Sequence, residues 1–333
     1  MVKAYGLYSH IRANRIRSIF LLASFVVLLQ AVLYSVALLL EAFNGGTFEQ
    51  IAGAGWRDMR SAWPIAIAAA LLWFLFAFAF HQRIIDAATG AGGVIRADAP
   101  KLYDALENLC ISRGIPIPAL KIIETPALNA YASGLREGNY AVTVTRGLLD
   151  ALSEAEIEAV LGHELTHIRN RDTQLMVVAV IFAGIFAFVG DLLIRSWRFP
   201  YGLSPRHGRQ RGSDENRGRG DGGRGAIIAI VVAIAIILIS WGVSTLIRFA
   251  ISRSREFLAD AGSVELTKNP DAMISALRKI SSNAIIPDVP SRMQAFFIES
   301  PDDVPAESGW LATHPGVEDR IEALKRYAGG HES

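Results

Sequence analysis

His163, Glu164 and His167 stand in the order H-E-x-x-H within the stretch LGHELTHIRNRD, residues 161–172. On a helix, positions four apart share a face, so the two imidazoles can be offered to a single metal ion. Glu164 can reach a water polarised by that ion and take its proton, which is the chemistry of attack on a peptide carbonyl. A catalytic metal also needs a third protein ligand and an open position. SRSREFLADAG, residues 252–262, supplies Glu256 and Asp260, again four apart on an expected helix. Glu256 can complete a set of two histidines and one glutamate, and Asp260 can accept the free N–H of a ligand histidine.

These residues must be positioned by a chain that is largely apolar. Hydrophobic residues make up 51% of 333, and the net charge is only +1, so no overall charge argument points to nucleic acid. The one cysteine, Cys110, excludes an internal disulfide and reads as a small buried residue of a helix. Four stretches are long and apolar enough to cross a hydrocarbon core of roughly 30 Å. They run over Ser18–Leu40, Trp63–Phe80, the residues just after the H-E-x-x-H segment, and Ala226–Ile247. The first lacks a small-residue cleavage site and is read as an anchor rather than a cleaved signal.

Lys3, Arg12, Arg15 and Arg17 precede the first stretch without an acidic neighbour. The stretch between the first two spans, read as a loop, carries Glu41, Glu49 and Asp58 against Arg57 and Arg60. The positive-inside bias therefore places the N-terminus, and the H-E-x-x-H segment two spans later, in the cytoplasm. The arginine- and glycine-rich residues 196–225 strain that rule, because a crossing pair of spans three and four would put them outside; either the bias fails there or the two spans form a hairpin that does not fully cross. These residues read as a disordered linker, with anionic lipid heads as an alternative contact. The expected organisation is residues 1–80 as tail and first two spans, 81–174 and 248–333 as two halves of one soluble domain, and 175–247 as the second span pair.

In the first half, APKLYDALENLCISRG has helical periodicity, with Asp98 as N-cap and Gly114 at its end. ALKIIET, NAYASGL and YAVTVTRG read as strands, the last two joined by turn residues REGN. SEAEIEAVLGHELTHIRNRD opens as a helix with a capping box from Ser153 to Glu156. Residues 285–310 bear several prolines and aspartates, with exposed-looking Phe296 and Phe297, and a loop this long reads as a lid or substrate gate, with packing on the domain or membrane surface as the alternative.

Taken together, HELTH, a span pair and REFLAD resemble the HtpX-type membrane metalloproteases, relatives of the CAAX-prenyl protease family. NAYASG (Asn129–Gly134) resembles that family's substrate-contacting edge strand. THPGVEDRIEAL, from Thr313, resembles its C-terminal His-Pro…Arg-Ile segment, with Gly316 where the family often has a second proline. The resemblance implies a zincin-like α+β domain, mainly helical with a small β-sheet, joined to an α-helical membrane part of four hydrophobic spans. It implies one Zn2+ per chain on His163, His167 and Glu256, Glu164 as catalytic base and Asp260 orienting a ligand histidine. Asn129 would bind substrate backbone, and His314 and Arg320 would stabilise the oxyanion.

An edge strand at Asn129–Leu135 can accept an extended peptide by β-addition, with little sequence preference. The implied function is cleavage of misfolded or damaged membrane proteins at the cytoplasmic face of a bacterial inner membrane, as part of protein quality control under stress. Polypeptides and the lipid bilayer are then the expected partners, without nucleic acid. Two rivals are an intramembrane protease, disfavoured by a motif helix that reads as polar on most sides, and a prenyl-peptide protease, for which four spans are few. A third is a metal-binding scaffold or chaperone-like binder that does not cleave.

Overall fold

The computed structural model describes residues 7–178, 221–250, 253–286, 297–298 and 315–328. Two long helices begin it, α1 (Leu7–Asn44) and α2 (Phe48–Thr89), with only residues 45–47 between them. The stretch read above as a loop from Glu41 to Arg60 is therefore almost entirely helix. Its Ala, Glu, Gln, Met and Arg residues favour a helix, Gly55 lets that helix pack against the Leu38 backbone, and the charges sit along its side rather than in a connection. Gly45 and Gly46 take positive φ at the reversal, where a side chain would be strained. Further on come α6 (Asp221–Ala250) and, among the described residues, three spans long and apolar enough to cross a bilayer: Val26–Asn44, α2 and Gly223–Ser240. The third stretch foreseen in the sequence lies mostly outside the described residues.

Two units are defined by internal packing, one of residues 20–76 and 182–246, the other of 1–19, 77–181 and 247–333. In the first, Leu38, Ala42 and Ile51 bury against Ala229 and Ala233. Gly225 lies so close to the Gly46 carbonyl that a side chain there would not fit.

The second unit holds the sheet and the H-E-x-x-H helix. Its elements are β1 (Gly92–Gly93), α3 (Pro100–Arg113), β2 (Ala119–Ile123), β3 (Ala130–Ser133), β4 (Ala141–Thr145), α4 (Arg146–Ala151), α5 (Glu154–Arg169), α7 (Arg253–Thr267), α8 (Pro270–Ser281) and α9 (Val317–Ala328). The strand order is β1-β2-β4-β3, with β2 parallel to β4 and β3 antiparallel to it. β3 is thus an edge. Thr145 ends β4 and caps α4 by accepting from the Leu148 amide, so the strand expected over YAVTVTRG stops there. Asp98 is not the cap of α3; Ala99 takes that place without a side-chain bond, and Pro100, already preset in φ, starts the helix.

α5 is enclosed almost completely: Ala159 through Ile168 are all buried. β3, β4, α3, α7 and α8 surround it. The motif helix is consequently not polar on most sides of a free surface, and its polar side chains face partners. α8 presents Met273, Ala276, Leu277 and Ile280 inward, spaced as one helical face. Each large apolar side chain so buried contributes about 1.5–3 kcal/mol. The expected capping box forms: the Ser153 amide donates to Glu156 Oε2 at 2.7 Å, and Ser153 Oγ accepts from the Glu156 amide. Ser275 Oγ and Lys279 Nζ also donate to the Glu156 carboxylate, at 2.5 and 2.8 Å. One residue thereby starts α5 and ties it to α8.

Candidate metal centre

Two small-residue contacts bring the Glu256 helix against the histidine helix. At Gly262 of α7 a Cβ would run into the Thr166 side chain, and at Gly162 of α5 it would press on Ser263. Ser263 Oγ donates to the Ala159 carbonyl at 2.5 Å, and Thr166 Oγ1 to the Gly162 carbonyl at 2.8 Å. The hydroxyls take up backbone acceptors at the crossing, so the two axes approach closely without burying unsatisfied groups.

This approach places His163, His167 and Glu256, all buried, with one ligand atom each within 4.8 Å of one another. The two Nε2 atoms are 3.1 Å apart. Glu256 Oε2 is 3.5 Å from His163 Nε2, and Oε1 is 3.7 Å from His167 Nε2. Tetrahedral bonds of about 2.0–2.1 Å to nitrogen and oxygen place ligands about 3.3 Å apart, so the donor set fits a zinc-sized ion. The ring orientations agree: each Nδ1 is turned toward a carboxylate, which leaves Nε2 as the ligand atom.

His163 Nδ1 lies 3.0 Å from Asp260 Oδ1, a contact bent away from a straight hydrogen bond. Burial works against an imidazolium at His163, but Asp260 and Glu256 outweigh it and hold the pKa up at about 9. Asp260 is itself gripped by Arg320, whose Nε and Nη2 donate to its two oxygens at 2.9 and 2.6 Å. Burial pushes the Asp260 carboxyl up, and the Arg320 charge overrides this and keeps it below the ordinary range. His167 Nδ1 is hydrogen-bonded at 3.0 Å to Asp172, a residue the sequence reading did not single out. Asp172 follows the motif in an ordinary polar run, and only the fold of the chain after Arg169 carries it back to the histidine.

Glu164 is 1% exposed, and neither carboxylate oxygen has a donor at hydrogen-bonding geometry. Burial raises its pKa; His163 and His167 pull the other way, and the Ala132 amide of the β3 edge favours the charged form more weakly. A buried carboxylate with at most one weak backbone donor, beside a metal-sized donor set, is arranged to receive a proton.

The remaining expected site residues fall differently. Asn129 is buried, its Oδ1 accepting from the Ala130 and Ile298 amides and its Nδ2 donating to the Ala284 carbonyl. The Ile298 amide also donates to the Ala130 carbonyl on the outer edge of β3, and Arg320 Nη1 donates to the Ile298 carbonyl at 2.8 Å. Both Asn129 and Arg320 thus grip the backbone of Ile298. Phe297, read as exposed, is 3% exposed and packs on Tyr131 with ring centroids 5.6 Å apart. The aromatic ring finds a partner on the sheet, which hydropathy alone does not reveal. His314 and Phe296 lie outside the described residues.

A helical domain with a small sheet, apolar helices of bilayer length, and two histidines and a glutamate converging from crossed helices together define a membrane metallopeptidase. The profile of peptidase family M48 matches residues 96–328, and the chain belongs to that family. It is similar over nearly its whole length to proteins named Protease HtpX homolog. That of Bacteroides fragilis is 37% identical over 332 residues, covering 97% of this chain and 99% of that protein. That of Lactobacillus helveticus is 34% identical over 323 residues, with 96% and 99% covered. Among solved structures, the crystal structure of S. mikatae Ste24p matches with a TM-score of 0.46 and 20% identity, over 79% of this chain and 58% of that one.

Proposed function

We propose that this chain is a membrane-embedded zinc endopeptidase, holding one Zn2+ on His163, His167 and Glu256 and cutting misfolded or damaged membrane proteins at the cytoplasmic face. The observation that supports this best is the convergence of the three ligand atoms beside the buried carboxylate of Glu164. A bound zinc ion would supply Lewis acidity and lower the pKa of a coordinated water. Glu164 takes the proton from the attacking water and returns it to the leaving amine. Burial raises its pKa above the ordinary carboxylate value, which makes it a stronger base for that proton. The outer edge of β3 beyond Ala130 offers backbone groups to an extended polypeptide, which supports broad selectivity.

In this reading Asn129 and Arg320 act by holding Ile298 against the β3 edge, and Arg320 additionally fixes Asp260. The basic residues Lys3, Arg12, Arg15 and Arg17, ahead of the first apolar stretch, support a bacterial inner membrane with the site in the cytoplasm. The test is cleavage of an unfolded model protein by the full chain in detergent after chelation and stepwise return of zinc. Activity should vanish on chelation and saturate at one zinc per chain. Cleavage that survives chelation would overturn the metal role. Zinc held without any cleavage would favour a metal-binding scaffold or chaperone-like binder.

A further inference from the structure

Asp172 has no place in the H-E-x-x-H pattern, yet it is fully buried and its Oδ2 lies 3.0 Å from His167 Nδ1. It sits five residues beyond the histidine. On a regular helix of 3.6 residues per turn, that spacing points the two side chains about 140° apart. The contact exists because α5 stops at Arg169, Asn170 caps it, and Arg171 takes φ of 60°. That left-handed residue redirects the chain before the helical residues 172–178 begin. A non-glycine residue in this conformation costs about 1–2 kcal/mol and persists where its surroundings require it.

The result is a pair of imidazoles locked from different sides. Their rings stand nearly perpendicular, at 84° with centroids 4.7 Å apart. Asp260 faces the outer nitrogen of one and Asp172 that of the other. A carboxylate on Nδ1 keeps the proton there, fixes the ring's rotation and makes Nε2 a better donor.

We propose that Asp172 is a positioning residue of the metal centre, orienting His167 and raising its affinity for the ion, and that the left-handed turn at Arg171 is the device that delivers it. This rests on the zinc reading above, and the experiment separates the two. Zinc affinity is measured by chelator competition on the full chain in detergent for wild type, Asp172→Ala, Asp172→Asn and Arg171→Gly. The visible absorption of each cobalt-substituted form is recorded beside the thermal transition of the metal-free chain.

Asp172→Ala should bind zinc about 10–100-fold more weakly, the usual cost of losing such a partner. Its cobalt spectrum should shift while the metal-free transition stays close to wild type. Asn, which still accepts the N–H but carries no charge, should fall between. Arg171→Gly, which accepts the same φ, should match wild type. Wild-type affinity in Asp172→Ala, or in Asp172→Asn should the alanine variant not fold, overturns the proposal. A wild type that itself holds no zinc overturns the zinc reading and this one with it.

Discussion

Glu156 shows how a single side chain can fasten the site while lying outside it. Burial alone would push its carboxyl up, but Lys279, Ser275 and the Ser153 amide together hold it below its ordinary value of 4.5. A depressed carboxylate adds stability that is present above the ordinary value and is lost as pH falls through the folded one. The transition temperature of the wild type should therefore fall more steeply than that of Glu156→Gln as pH drops from about 5 into the range below 4.5. At neutral pH the variant should be less stable by about 1–3 kcal/mol, since it keeps the shape and loses charge-assisted bonds. Equal slopes in a thermal series across that range would contradict the assignment. Asn129 and Arg320 make a related point. Their residue types suit substrate or oxyanion contact, and the fold also engages them on Ile298 and Asp260.

At the scale of elements, the crossing of α5 and α7 decides whether three ligands meet. Gly262→Ala should push against Thr166, cost about 1–3 kcal/mol by overpacking, and weaken zinc binding by displacing Glu256. Adding Thr166→Ala removes the atoms it strikes and should restore part of both. Denaturant titration with chelator competition reads the two effects, and an unperturbed single variant would show that the crossing has slack. The helix ligands were legible in the sequence because i and i+4 spacing is local: His163 with His167, and Glu256 with Asp260. The capping box at Ser153 and strands β2 to β4 were legible for the same reason. What could not be read depends on chain reversals and distant pairings. Asp172 needed the conformation of Arg171, Arg320 needed α9 laid over α7, and the length of α2 was hidden by charges that resembled a loop.

At the scale of the whole molecule, the proposed orientation rests on the positive-inside bias of the residues ahead of the first apolar stretch, and it predicts that residues 45–47 face outward and residues 315–328 face the cytoplasm. A cysteine at Thr47 should react with an impermeant maleimide added to intact spheroplasts, and one at Glu318 should react only after lysis. Native Cys110 should stay silent, since it is buried and its thiol is pushed up to about 11 by desolvation. The reverse pattern would move the site to the other face. The most direct measurement remains zinc content and cleavage of an unfolded protein by wild type and Glu164→Gln, side by side. Both should hold one zinc per chain, with the variant slower by about 10²–10⁴-fold, the usual contribution of a general base. Glu164→Gln cutting at the wild-type rate, with zinc bound, would contradict it.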